Sequence, residues 1–132
     1  MIRTMRAITT ALLSLSPLAL ASNEYSPQFG ACMNKAEGVT SAMVECYNEE
    51  LEKEDARLNN AYKNVMTAFS PENKQKVLTA QRLWIKFRDA DCNLYYTLSG
   101  GTMDLLNGAD CTLSMTKKRA DDLVWLSRNG GE

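Results

Sequence analysis

The apolar residues between positions 40 and 70 recur at the spacing of one helix face. Their steps of three or four residues, with one place taken by Asp55, predict a long amphipathic helix. Thr40 or Ser41 should begin it, because their hydroxyls can cap the first free amides. The apolar members of this stripe are Met43, Tyr47, Leu51, Leu58, Tyr62, Val65 and Phe69.

A second long helix should begin at Ser70-Pro71-Glu72. Ser70 suits the cap position, Pro71 the first helical position, and Glu72 the positive end of the helix dipole. Gly100-Gly101 should stop this helix. Its apolar residues are Val77, Leu78, Trp84, Ile85, Tyr95 and Leu98. Since neither segment alternates like a strand, the two helices should form an antiparallel hairpin.

Shorter helices should flank the hairpin. Residues 22–28 read as a loose leader, and a short helix is expected from Phe29 to Glu37, ended by Gly38. After a turn at Asn107-Gly108, a last helix should run from about Asp110 to Ser127. The sequence therefore predicts an all-α fold, a long antiparallel helical hairpin with short flanking helices, stapled by two disulfides.

The first 21 residues are typical of a secretory signal peptide. Arg3 and Arg6 precede the apolar run Ala7–Leu20, and Ala19-Leu20-Ala21 offers a cleavage site. The run is shorter than the ~20 residues needed to span a bilayer, so no membrane span is expected after cleavage. Position 22 is Ser rather than a lipid-bearing Cys. We expect one helical domain, residues 22–132, in a periplasmic or secreted protein.

The charge balance bears on the kind of partner. The whole chain has a net charge of −1, and losing the two leader arginines makes the mature chain more acidic. An acidic balance argues against nucleic acid, whose phosphates demand clustered Lys and Arg. It is compatible with a basic protein partner.

Four cysteines in an exported small chain predict two disulfides. A metal site is disfavoured, because the chain has no C-x-x-C pair and no histidine. We predict Cys32–Cys46 and Cys92–Cys111, since each pair brackets a turn signal. The rival pairing is Cys46–Cys92, across the hairpin.

Asp55 interrupts the apolar stripe, so it needs either a partner or a function. With a turn at Ser70-Pro71, Arg88 would lie nearly opposite Asp55. A charge in a helix seam is tolerated when it is paired, so we predict a register-setting ion pair rather than a general base. The same register predicts two further contacts, Asn59 with Arg82 and Leu58 with Gln81.

Catalytic chemistry has little support in this sequence. Paired carboxylates from the acidic run could serve glycoside hydrolysis, but an outer helix face gives no reason for their pKa values to separate. The run consists of Glu45, Glu49, Glu50, Glu52 and Glu54. Without histidine, the usual activating base for a nucleophile is missing. We expect no catalytic residues, cofactor or metal.

Gly100-Gly101-Thr102 is not a phosphate-binding loop, because it follows a predicted helix and lacks the lysine. It can act as a helix stop, or as a tip that enters the cleft of a partner. Trp84 and Tyr95-Tyr96 are expected to be core or rim aromatics.

Residues 30–126 resemble the N-terminal domain of the LprI family of secreted lysozyme inhibitors. The most specific block is Ala80-Gln81-Arg82-x-Trp84-x-x-x-Arg88-Asp89-x-x-Cys92. The other matching residues are Cys46, Asp55, Leu58-Asn59, Tyr62, Gly100-Gly101-Thr102, Cys111, Thr116 and Arg119. The resemblance implies an exported, helical, disulfide-bonded domain of the bacterial envelope that inhibits lysozyme. The shared residues read as structural: Asp55, Asn59, Gln81, Arg82, Trp84 and Arg88.

The expected function is that of an exported, non-enzymatic protein that binds and inhibits lysozyme. Two alternatives remain, an envelope or immunity protein that binds another cell-wall hydrolase, and a carboxylate-based cell-wall hydrolase. The expected contact is the exposed segment Gly100-Gly101-Thr102-Met103-Asp104, held in shape between a helix end and a disulfide. The acidic face around Glu49, Glu50 and Glu52 is the second candidate.

Overall fold

The computed structural model describes residues 25–131, which form four α-helices. The predicted signal peptide and residues 22–24 lie outside the described residues. The helices are α1 (Pro27–Ala36), α2 (Thr40–Ala68), α3 (Pro71–Tyr95) and α4 (Met103–Asn129). The all-α prediction is therefore confirmed.

Two helices begin with the same local device, a serine followed by proline. The Ser70 hydroxyl accepts a hydrogen bond from the Asn73 amide at 3.3 Å, which confirms the predicted restart. Ser26 caps α1 in the same way, so α1 begins at Pro27 and the predicted leader is shorter. Helix α2 begins at Thr40 as expected, but its cap residue is Val39, which offers no side-chain acceptor. The predicted hydroxyl cap is wrong.

The last helix is longer than predicted, beginning at Met103 instead of near Asp110. Asn107-Gly108 lies inside α4 and does not form a turn. Gly108 is buried, and a Cβ there would overlap the Tyr96 ring. The glycine therefore serves close packing between the α3–α4 connection and α4, a role that turn propensity does not reveal.

Contacts along the chain fix the direction of each helix. Arg57 of α2 pairs with Asp121 of α4 at 2.7 Å, and the ends of both helices meet where Gly130 abuts Phe69. Helices α2 and α4 are therefore parallel. Helix α3 runs antiparallel to α4, since Cys92 bonds Cys111 while Gln81 meets Arg119.

Helix α4 contributes more buried residues than any other helix. Its side chains at Leu113, Ala120 and Leu123 have no exposed surface. The main cluster draws on three helices and comprises Leu58, Ala61, Val65, Val77, Ala120 and Leu123. Helix α4 packs most extensively against α2, then against α3, while α2 and α3 approach each other least. The seam expected between α2 and α3 is thus a core shared with α4.

Both predicted disulfides are confirmed. Cys32–Cys46 joins α1 to α2 with Cα atoms 5.7 Å apart, and Cys92–Cys111 joins α3 to α4 at 5.5 Å. Closing loops of 14 and 19 residues should stabilise the fold by about 3 kcal/mol each on the chain-entropy model.

Between residues 25 and 131, none of the helices combines the length and apolar character that crossing a membrane requires.

Replacing Gly108 with Ala should lower the free energy of unfolding by about 1–3 kcal/mol, because the new methyl overlaps the Tyr96 ring. Urea unfolding measures this loss. Gly30→Ala is the matched control: it also lies in a helix but has open space, so it should stabilise by about 0.5–1 kcal/mol. In a Tyr96→Ala background, Gly108→Ala should cost little. A loss that persists there would contradict the steric account.

Candidate functional site

The α3–α4 connection, residues 96–102, turns the chain through a tight corner. Gly100 has φ +75°, a left-handed conformation that favours glycine. Helix α3 ends at Tyr95, five residues before the glycine that was expected to stop it. The predicted partner segment, Gly100 to Asp104, therefore comprises the end of this connection and the first residues of α4.

Asp104 holds this corner from within. Its carboxylate accepts hydrogen bonds from the Ser99 amide (2.9 Å), the Gly100 amide (2.8 Å) and the Ser99 hydroxyl (2.8 Å). The Ser99 amide, followed by the Ser99 hydroxyl and the Gly100 amide, lowers the pKa of Asp104 despite its burial. Asp104 is only 3% exposed. The prediction that it is an exposed contact residue is wrong, because it ties the connection to α4.

The outer surface of the corner is apolar. Leu98 is 63% exposed and Met103 57% exposed, far more than large apolar side chains in a core. We call five residues the corner surface: Tyr95, Tyr96, Leu98, Met103 and Leu105. Several large apolar side chains exposed at neighbouring positions of the chain can mark an interaction site. Helical periodicity does not reveal most of the corner surface, because it assigns Tyr95 and Leu98 to the apolar positions of a longer α3.

A groove of about 290 Å³ borders the corner surface at Tyr95. Asp91 and Asp110 line it beside the Cys92–Cys111 disulfide. Burial raises the pKa of the Tyr47 hydroxyl, and the charge of Asp110 raises that pKa further. The groove thus combines negative charge with aromatic and apolar walls, which suits a cationic side chain of a partner.

The acidic run on α2 divides into buried and exposed members. Glu50 is 2% exposed and accepts hydrogen bonds from the Ser26 amide and the Ser26 hydroxyl, each at 2.6 Å. Burial alone would raise its pKa, but the bonds from Ser26 and Lys53 hold that pKa below its ordinary value. Glu50 therefore fastens the start of α1 to α2, and placing it on an open acidic face is wrong. Glu45, Glu49 and Glu52 remain exposed.

The predicted Asp55–Arg88 ion pair does not form among residues 25–131. Arg88 pairs with its neighbour Asp89 at 2.9 Å and donates to the Thr116 hydroxyl at 3.2 Å. Helix α4 supplies this partner because it packs along the inner face of α3, where α2 was expected. Among residues 25–131 no hydrogen bond joins Asn59 to Arg82, and Gln81, which was expected near Leu58, accepts a hydrogen bond from Arg119 of α4.

Trp84 lies beside two arginines, Arg88 of its own helix α3 and Arg119 of α4. The guanidinium carbon of Arg88 is 5.0 Å from its ring centroid, and that of Arg119 is 6.0 Å away. Arg119 donates through Nε to the buried Gln81 side chain at 2.9 Å. Cation–π contacts of this kind stabilise such packing. Two other residues expected to be structural, Asn59 and Arg82, are exposed.

Residues 25–131 hold no cluster of three or more His, Cys, Asp or Glu side chains arranged to bind a metal ion. The site they do form is an apolar corner with an acidic groove beside it. Such a surface can bind a protein.

One family of known proteins matches most of this chain. The family model described as "Lysozyme inhibitor LprI" matches residues 32–123. The chain belongs to the LprI lysozyme inhibitor family. The matched residues include both disulfides, the Trp84 cluster and the corner.

A relative in Rhizobium meliloti (strain 1021) carries the name of an uncharacterized protein. It is 28% identical over 92 residues, which cover 59% of this chain and 66% of the relative. The match therefore spans just under two thirds of that relative's length. No solved structure is significantly similar to this LprI chain.

Replacing Glu50 with Gln should cost about 1–3 kcal/mol at pH 7, because charge-assisted hydrogen bonds to Ser26 are weakened in a buried place. The folded pKa of Glu50 is lowered, so the stabilising effect is complete above the pKa of the unfolded chain and is lost as pH falls through the folded pKa. Urea unfolding from pH 7 to pH 3 should show the gap to wild type shrinking. Glu49→Gln, which is exposed, should stay within about 0.5 kcal/mol throughout. A gap that is constant with pH would contradict the assignment.

Replacing Asp104 with Asn should loosen the corner. The side-chain NH2 of Asn is a donor, so it cannot replace the carboxylate oxygen that accepts there, and at least one of the three hydrogen bonds is lost. Hydrogen exchange of the Ser99 and Gly100 amides should become roughly tenfold faster, the scale of one lost hydrogen bond. Asp55→Asn, with no ion pair among the described residues, is the control and should leave both amides unchanged. Unaltered exchange in Asp104→Asn would show that the carboxylate does not hold the corner.

Proposed function

We propose that this LprI protein is a non-enzymatic inhibitor that binds lysozyme outside the cytoplasm. Membership of the lysozyme inhibitor family is the observation that carries the proposal. The two disulfides support an oxidising location, since such bonds persist mainly in exported proteins. The signal-peptide pattern of the first 21 residues is consistent with that location.

The corner surface is the proposed contact. Its apolar side chains already face solvent, so binding would remove them from water without unfolding any part of the domain. The Cys92–Cys111 bond and the Asp104 hydrogen bonds hold the connection in place, which reduces the conformational entropy lost on binding. Aromatic and methionine side chains are enriched at such interfaces.

Charge supports a basic enzyme as the partner. Asp91 and Asp110 line the groove next to the corner surface, and Glu45, Glu49 and Glu52 are exposed on α2. Their combined field would attract a basic lysozyme and speed association, with the effect falling as salt rises. The apolar corner would then supply most of the affinity.

Purified protein lacking residues 1–21 should slow the lysis of bacterial cell suspensions by lysozyme at micromolar concentration, while showing no lytic activity itself. A Leu98→Ser, Met103→Ser double variant should need at least about tenfold more protein for the same inhibition, because hot-spot side chains contribute on the order of 1–2 kcal/mol each. Turbidity measurements with several lysozyme types test this.

Leu83→Ser is the matched control, because Leu83 is 62% exposed on α3 and lies outside the corner surface. It should inhibit like wild type. Equal weakening by both variants would place the contact elsewhere. A complete lack of inhibition across lysozyme types would contradict the proposal and point to another cell-wall enzyme as the target.

A further inference from the structure

A second groove, of about 280 Å³, lies between α3 and α4 beside Trp84. Its walls combine apolar and charged side chains: Trp84, Phe87, Met115, Lys118, Arg119 and Asp122. Phe87 is 61% exposed, so an aromatic ring stands open to solvent at this groove. Neither the corner surface nor the acidic groove shares its charged residues.

Among residues 25–131, one positive charge of this groove has no counter-ion. Lys118 pairs with Asp122 at 3.2 Å, and the neighbouring Arg88 pairs with Asp89 at 2.9 Å. Arg119, by contrast, has no carboxylate oxygen within 4.0 Å among residues 25–131, and its hydrogen bond there goes to the neutral side chain of Gln81. Burial lowers the pKa of Arg119, and the charge of Asp122 offsets that only in part.

The remaining N–H groups of Arg119 are accessible. Within residues 25–131, every fully buried side-chain nitrogen or oxygen has a hydrogen-bond partner. Only the Nε atom of Arg119 has such a partner among these residues, so its terminal nitrogens must reach solvent. Because Arg119 lines the groove, its two terminal nitrogens can offer paired donors to a ligand there.

We propose that this groove binds the free carboxylate of an apolar or aromatic molecule. The carboxylate would accept paired hydrogen bonds from the Arg119 fork, as guanidinium and carboxylate groups commonly do. The apolar body of the ligand would lie against Phe87 and Met115. A single uncompensated charge, with Asp122 nearby, suits a monoanion better than a phosphate dianion. This inference is independent of lysozyme inhibition.

The first measurement uses the wild-type protein and N-acetylphenylalanine at pH 7, followed by NMR. The Arg119 Nε–H and Trp84 indole signals should shift together, with a dissociation constant on the order of 1 mM for so small a ligand. N-acetylphenylalaninamide has the same body without the charge and should bind at least about tenfold more weakly. Equal binding of acid and amide, or no shift of these signals at 20 mM (about 20 times the expected constant), would overturn the proposal.

A comparison of 3-phenylpropanoate with N-acetylphenylalanine distinguishes the source of the carboxylate. 3-Phenylpropanoate carries the ring and the charge but no peptide bond. If it binds as well as N-acetylphenylalanine, the groove takes organic acids generally. If only N-acetylphenylalanine binds, the groove reads the carboxyl end of a peptide. Both results require the same carboxylate contact.

Variants complete the test. Arg119→Gln should weaken N-acetylphenylalanine binding at least about tenfold, and Arg119→Lys should give an intermediate loss, because lysine keeps the charge without the fork. Arg82→Gln is the control, since Arg82 is exposed on α3 and does not line the groove. Unchanged binding in Arg119→Gln would overturn the proposal. Should that variant fold poorly, the acid–amide comparison in wild type decides the question alone.

Discussion

The removal of one face of α4 from water is the interaction on which the rest of this structure depends. Leu113, Ala120 and Leu123 are fully buried, and burying each of the two leucines contributes on the order of 1.5–3 kcal/mol of hydrophobic free energy. Because α4 runs parallel to α2 and antiparallel to α3, it brings together helices that otherwise meet little. The corner, the Trp84 cluster and both grooves exist because α4 lies where it does.

Two attachments in this structure each combine a buried carboxylate with a disulfide. At one site, Glu50 and Cys32–Cys46 attach α1 to α2 through hydrogen bonds and a covalent bond. At the corner, Asp104 and Cys92–Cys111 shape a connection that leaves large apolar side chains in water. Such exposure is costly for an isolated protein, and it becomes favourable only when a partner covers the surface. The corner is thus held in one shape while its apolar side chains stay exposed to solvent.

Local signals were reliable where local chemistry decides the outcome. Ser70-Pro71 begins α3 because a serine cap and a proline at the first helical position satisfy the backbone within four residues. The disulfide pairing followed from turn signals for a similar reason, since each pair closes a short loop. The resemblance to LprI proteins rested on a residue block, and the family match confirms it.

The sequence by itself determined an all-α, twice disulfide-bonded LprI domain, because capping, helical periodicity and loop closure act over few residues. Only the tertiary structure decided that Arg88 meets Thr116, that Gly108 accommodates Tyr96, and that Asp104 faces its own loop. A polar side chain in an apolar stripe must find a partner, but periodicity does not say which helix supplies it. Helix α4 supplies this partner because its small and apolar residues fit closely against both α2 and α3.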